Sequence, residues 1–121
     1  MKVELDFPPA ELFPNRKNGK HWGATHVVKT TYRHLCGWLT KEQMNKVHYK
    51  APEGEIELHL TFVMPDRRWR DADNCLAATK AGLDGFADAL GVDDRHFQPL
   101  VIRRELGAKP GKLIVEIKEK S

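Results

Sequence analysis

Ile56-Glu57-Leu58-His59-Leu60-Thr61-Phe62, followed by Pro65 and then by Arg67-Arg68-Trp69-Arg70-Asp71-Ala72-Asp73-Asn74, is the stretch that decides the fold. Its first part alternates apolar and polar residues with period 2, the pattern of a strand with one buried face, and Pro65 stops it. A helix should follow. Asp73 or Asn74 is a good N-cap, Gly91 is a C-terminal stop, and Leu76, Leu83, Ala87 and Leu90 between them fall on one stripe. Asp73, Lys80 and Asp84 lie on a neighbouring polar stripe of that helix.

On the N-terminal side, Val3, Leu5 and Phe7 alternate with charged residues, which predicts a first strand ended by Pro8-Pro9. Residues 13–21 read as a loop. Residues 22–45 carry Val28, Thr31, Leu35, Trp38 and Leu39 at helical spacing, with Gly37 weakening the middle, so one long or two shorter helices are expected. On the C-terminal side, residues 98–105 and the alternating Leu113, Val115 and Ile117 predict two more strands. Gly107-Ala108-Lys109-Pro110-Gly111 reads as a hairpin turn between them. The order β-α-β-α-β-β has too few alternating units for a doubly wound sheet and predicts an α+β fold: a single small mixed sheet with helices packed on it. At 121 residues the chain is expected to be one domain.

Hydrophobic residues at 40% and charged residues at 31% exclude a disordered or membrane-embedded chain. No apolar run or signal-like segment stands out, so the expected location is the cytoplasm, with no membrane partner. The net charge of +3 is too small to announce a nucleic-acid binder, but its distribution is uneven. Basic residues crowd into Arg16-Lys17-Asn18-Gly19-Lys20-His21 and around Arg67, Arg68 and Arg70, with Arg103-Arg104 a weaker cluster, as in a stripe that meets a phosphate backbone. Cys36 and Cys75 lack metal-site spacing and read as reduced and structural. Trp22, Trp38 and Trp69 read as core or interface anchors, with Trp69 the one that could stack on a base.

The chemistry concentrates in Asp71-Ala72-Asp73. Two carboxylates this close repel unless a cation lies between them, and hard divalent ions such as Mg²⁺ take carboxylates, water and substrate phosphate. If Asp93 or Asp94 returns from the far end of the helix, three carboxylates could hold metal for an in-line phosphodiester displacement. Lys80 could stabilise charge on the transferring phosphate, and Arg67, Arg68, Arg70, Lys17, Lys20 and His21 could hold a phosphate backbone. No organic cofactor is called for. The same groups also admit a purely structural reading, in which Asp73 caps a helix, Asp71 pairs with Arg70 and Asp93-Asp94 is a turn.

Several separated segments together resemble the RusA family of Holliday-junction resolvases. The block P-D-R-R-x-R-D-x-D-N is here Pro65 through Asn74, and L-D-G followed by G-V-D-D is Leu83-Asp84-Gly85 and Gly91-Val92-Asp93-Asp94. Phe13-Pro14-Asn15 through His21-Trp22 is similar to the family's opening loop. The resemblance implies metal-binding acids at Asp71, Asp73 and Asp94, with Asp93 adjacent. It implies a catalytic lysine at Lys80, where many relatives have theirs, although the best-known member's position falls on Ala77. It also implies a homodimer that nicks opposed strands of a four-way junction, since symmetric nicking needs two sites. The expected activity is thus a Mg²⁺-dependent, structure-selective endodeoxyribonuclease. The competing readings are a non-catalytic branched-DNA-binding protein of the same fold and, with less room in so short a chain, a small phosphohydrolase.

Overall fold

The computed structural model describes residues 1–14 and 22–118, with side chains in the first helix described from Thr25 onward. Lys17, Lys20 and His21 lie outside the described residues. Four strands, β1 (Lys2–Leu5), β2 (Ile56–Val63), β3 (Phe97–Glu105) and β4 (Lys112–Lys118), form one sheet in the order β1-β4-β2-β3. The helices are α1 (Trp22–Val47), α2 (Ala72–Ala78) and α3 (Lys80–Leu90). The α+β class with a single mixed sheet is therefore the observed one.

β2 holds an inner position because its alternation is complete: Ile56, Leu58, Leu60 and Phe62 are all fully buried. Register places Leu58 beside Ile117, Leu60 beside Val115 and Phe62 beside Leu113, and places Val3 and Leu5 of β1 beside Val115 and Leu113. Paired residues share a face, so these side chains form one apolar layer beneath the helices. β2 runs antiparallel to β4 and parallel to β3.

That arrangement corrects the expected hairpin. β3 and β4 lie on opposite sides of β2 and do not pair, so the link from Gly107 to Gly111 passes across the end of β2. It runs close to the strand. A Cβ at Gly107 would lie 2.6 Å from a Val63 methyl, and one at Gly111 would lie 2.9 Å from the Val63 carbonyl oxygen. Gly111 also has φ +72°, a conformation that side chains disfavour. The two glycines that suggested a tight turn serve a close crossing instead. β3, at the sheet edge, accommodates Pro99, which a central strand would not.

The helix expected over residues 73–90 is two segments, bent at Thr79 (φ −94°, ψ 1°). The Thr79 hydroxyl is buried and lies 3.3 Å from the Tyr32 phenol oxygen of α1. The hydrogen-bond ladder still crosses the bend, with the Leu83 N–H donating to the Thr79 carbonyl at 2.9 Å. Gly91 ends α3 in the left-handed region, and the Gly91 and Val92 N–H groups both donate to the Ala87 carbonyl.

α1 is one unbroken helix, and its inward face differs from the expected one. Tyr32, Cys36 and Thr40 are buried, whereas Trp38 is 61% exposed and Thr31 is exposed. Gly37 explains the rotation: its Cα faces Gly85 of α3, and a Cβ there would come within 3.2 Å of the Gly85 carbonyl oxygen. Glycines at the crossing let two backbones approach, so the face of α1 that carries Gly37 is the one turned inward. Both cysteines are free and buried, as their spacing suggested. Among the described residues no helix is long and apolar enough to cross a membrane.

Candidate functional site

The loop from Pro65 to Asp71 joins β2 to α2, and Arg70 fixes its shape. The Arg70 guanidinium donates to both carboxylate oxygens of Asp66, at 3.1 and 3.2 Å, and to the Arg68 carbonyl at 3.2 Å. It also lies 5.4 Å and 5.8 Å from the ring centroids of Phe7 and Phe13, which stack on each other. With a side chain only 15% exposed, Arg70 turns into the protein. Its planar fork holds the loop against the N-terminal segment, so the sequence expectation of a DNA contact at Arg70 does not match its placement. The Arg70 hydrogen bond holds the Asp66 carboxyl below the usual range.

Arg67 and Arg68 stay exposed. Trp69, between Arg68 and Arg70, is 56% exposed, which corrects its expected role as a core anchor. Arg104 reaches it from β3. Register places Arg104 beside Phe62, hence on the helix side of the sheet, where it donates to the Arg70 carbonyl at 3.0 Å and stands 5.7 Å from the Trp69 ring centroid. The sequence marked Arg103-Arg104 only as a weak cluster. The signal that separates the two is strand alternation, which sends Arg103 to the open face and Arg104 toward α2.

Asp71 occupies the N-cap position of α2, in place of the expected Asp73 or Asn74, and its side chain makes no capping hydrogen bond. Asp73 is exposed in the first helical turn. Both lie near the buried thiol of Cys75, which burial pushes up, which Arg70 and Arg104 pull down and which the two aspartates raise further. The two acids and Arg104 therefore gather around the start of α2. Beside them opens a cleft of about 600 Å³, whose walls include Phe7, Phe13, Arg68, Trp69, Asp71 and Asn74.

The acidic pair after α3 splits into two roles. Asp93 accepts from the Arg95 N–H at 3.0 Å and serves as a turn. Asp94 does not join Asp71 and Asp73 but meets Lys80 at 2.8 Å, while Lys80 also reaches Asp84 at 3.3 Å. The Lys80 hydrogen bond holds the Asp94 carboxyl below its usual range, and Asp94 in turn raises Lys80. The pair thus adds stability at pH values above the ordinary carboxyl range. That contribution is lost as pH falls through the lowered Asp94 value, and at the other end as pH rises through the raised Lys80 value. Lys80→Ala is expected to return Asp94 upward in a carbon-detected NMR titration. An unchanged Asp94 curve would mean that the contact is not formed in solution.

Neither the Asp71 nor the Asp73 carboxylate has a hydrogen-bond partner among the described residues, so each is free to take a hard cation together with water and phosphate. A three-carboxylate cage does not fit as placed: Lys80 holds Asp94, and among the described residues no three His, Cys, Asp or Glu side chains are grouped to hold a metal ion.

No family model matches the chain. An uncharacterized protein of Xylella fastidiosa (strain Temecula1 / ATCC 700964) is 49% identical over 101 residues, 82% of this chain and 65% of the relative. The chain thus spans about 65% of the length of the curated relative it matches.

Proposed function

We propose that the chain is a Mg²⁺-dependent, structure-selective endodeoxyribonuclease of the RusA type, acting in the cytoplasm as a homodimer that resolves four-way junctions and related branched DNA by paired nicks. The observation that carries the reading is Asp71, an exposed N-cap carboxylate that the helix does not use, two residues from Asp73 and on the rim of the cleft that includes Arg68 and Trp69. Asp71 and Asp73 would hold Mg²⁺, which when bound supplies an activated water and neutralises the leaving oxygen. Lys80, which Asp94 holds at 2.8 Å, would stabilise charge on the scissile phosphate. Arg67 and Arg68 would hold the DNA backbone, and Lys17, Lys20 and His21 belong with them on sequence grounds.

A labelled four-way junction and a matched linear duplex, each incubated with Mg²⁺ and with chelator, test the reading. Nicks in the junction alone, and only with Mg²⁺, are the expected result. The engagement of Asp94 by Lys80 favours a second reading, a branched-DNA-binding protein without turnover. Junction-selective binding with no product would establish that one and remove the nuclease.

Both readings make the exposed arginines phosphate contacts. Replacing Arg67 and Arg68 together with alanine is expected to weaken binding to every DNA and to reduce the slope of log affinity against log salt by about two. An unchanged slope would place both side chains away from DNA.

A further inference from the structure

We propose that the cleft beside Asp71 is a pocket for one unstacked base of the bound DNA strand, with Trp69 as its stacking surface; this deepens the DNA-binding reading above and rests on it. At about 600 Å³ the cleft is of a size that takes small ligands, larger than one base requires and far too narrow for a duplex. Its aromatic walls are Phe7, Phe13 and Trp69.

Trp69 is unusual in being 56% exposed yet anchored. Arg104 stands over its ring at 5.7 Å and is itself tied to the Arg70 carbonyl, so the indole is supported from one side and open over much of its surface. A preset ring of this kind binds a base without first having to be ordered. Asn74 lies on the cleft wall with no described hydrogen-bond partner, and its amide offers a donor and an acceptor to a base edge. Arg68, also on the wall, supplies positive charge for the adjoining phosphate.

Such a pocket would favour branched DNA over a continuous duplex. Taking a base out of a continuous duplex costs a few kcal/mol of stacking and pairing, whereas a branch point presents bases already partly released. A base held beside Asp71 would set the neighbouring phosphate near the acidic pair only where the helix is interrupted.

The test measures fluorescence anisotropy in chelator, with a labelled short oligothymidylate and an abasic strand of equal length and charge. The wild-type chain is expected to bind the intact strand at least about 10-fold more tightly, within the range for one stacked base. Trp69→Ala should remove that difference, and Trp69→Phe should keep most of it. Equal wild-type affinity for the two strands would overturn the proposal without any variant, and so would a folded Trp69→Ala chain that keeps the difference. Base discrimination without Mg²⁺-dependent cleavage would retain the pocket and remove the nuclease. Cleavage without discrimination would do the reverse.

Discussion

Asp71→Asn is expected to abolish junction cleavage while leaving junction affinity unchanged or higher. The substitution removes a proposed metal ligand and at the same time a negative charge that faces DNA. A loss of at least about 10²-fold in single-turnover rate is the scale for removing one electrostatic element of an active site. The fold should not register the change. Asparagine is as good an N-cap as aspartate, and the Asp71 side chain makes no capping bond to lose, so the melting temperature should stay put. Near wild-type cleavage at saturating Mg²⁺ would remove Asp71 from the chemistry, whereas lost activity together with a large fall in melting temperature would return it to a structural role.

Gly85→Ala should produce the largest loss of stability of any glycine-to-alanine change among the described residues. A Cβ there would overlap the Arg33 carbonyl oxygen and lie 3.0 Å from the Gly37 amide nitrogen, and both obstacles are backbone. Backbone cannot rotate aside as a side chain can, so α1 and α3 would have to separate along their crossing. The expected cost is about 3 kcal/mol or more, which in a chain of this size lowers the melting temperature by roughly 10 °C or more. A change of less than about 2 °C would mean that the two helices are not in contact at this point in solution. Gly54→Ala is a useful comparison, since a Cβ there meets nothing within 4 Å and only its φ of +80° resists the change.

What could be read from sequence was what depends on near neighbours. The alternation of β2 and the stop at Gly91 rest on patterns a few residues long, and the chain adopts them. What could not be read depends on partners far away along the chain. Period-2 alternation in β3 and β4 says that each has two faces but not which edge each will take, and glycines suit a crossing as well as a hairpin. Charge alone could not distinguish Arg70 from Arg67 and Arg68. Its inward turn requires Asp66 beneath it and the Phe7 and Phe13 rings from a segment more than fifty residues earlier. Arg104 was hidden for the same reason, since its place beside Trp69 follows from the parallel pairing of β3 with β2.

The placement of β4 between β1 and β2 has a consequence in time. β1 pairs with β4 alone, and the two strands meet across almost the whole sequence: Lys112 reaches Glu4, 108 residues away. Synthesis from N to C therefore makes β1 well before β4, with Glu4 emerging 108 residues ahead of its partner Lys112. At about 5–20 residues per second, Val3 and Leu5 wait several seconds with no edge to join. Contacts of such long sequence separation also slow folding itself, because the loop between them must be closed before they return any energy. β1 is thus the last of these four strands to gain a partner, and whatever shields its apolar side chains in the interval has to come from outside the finished sheet.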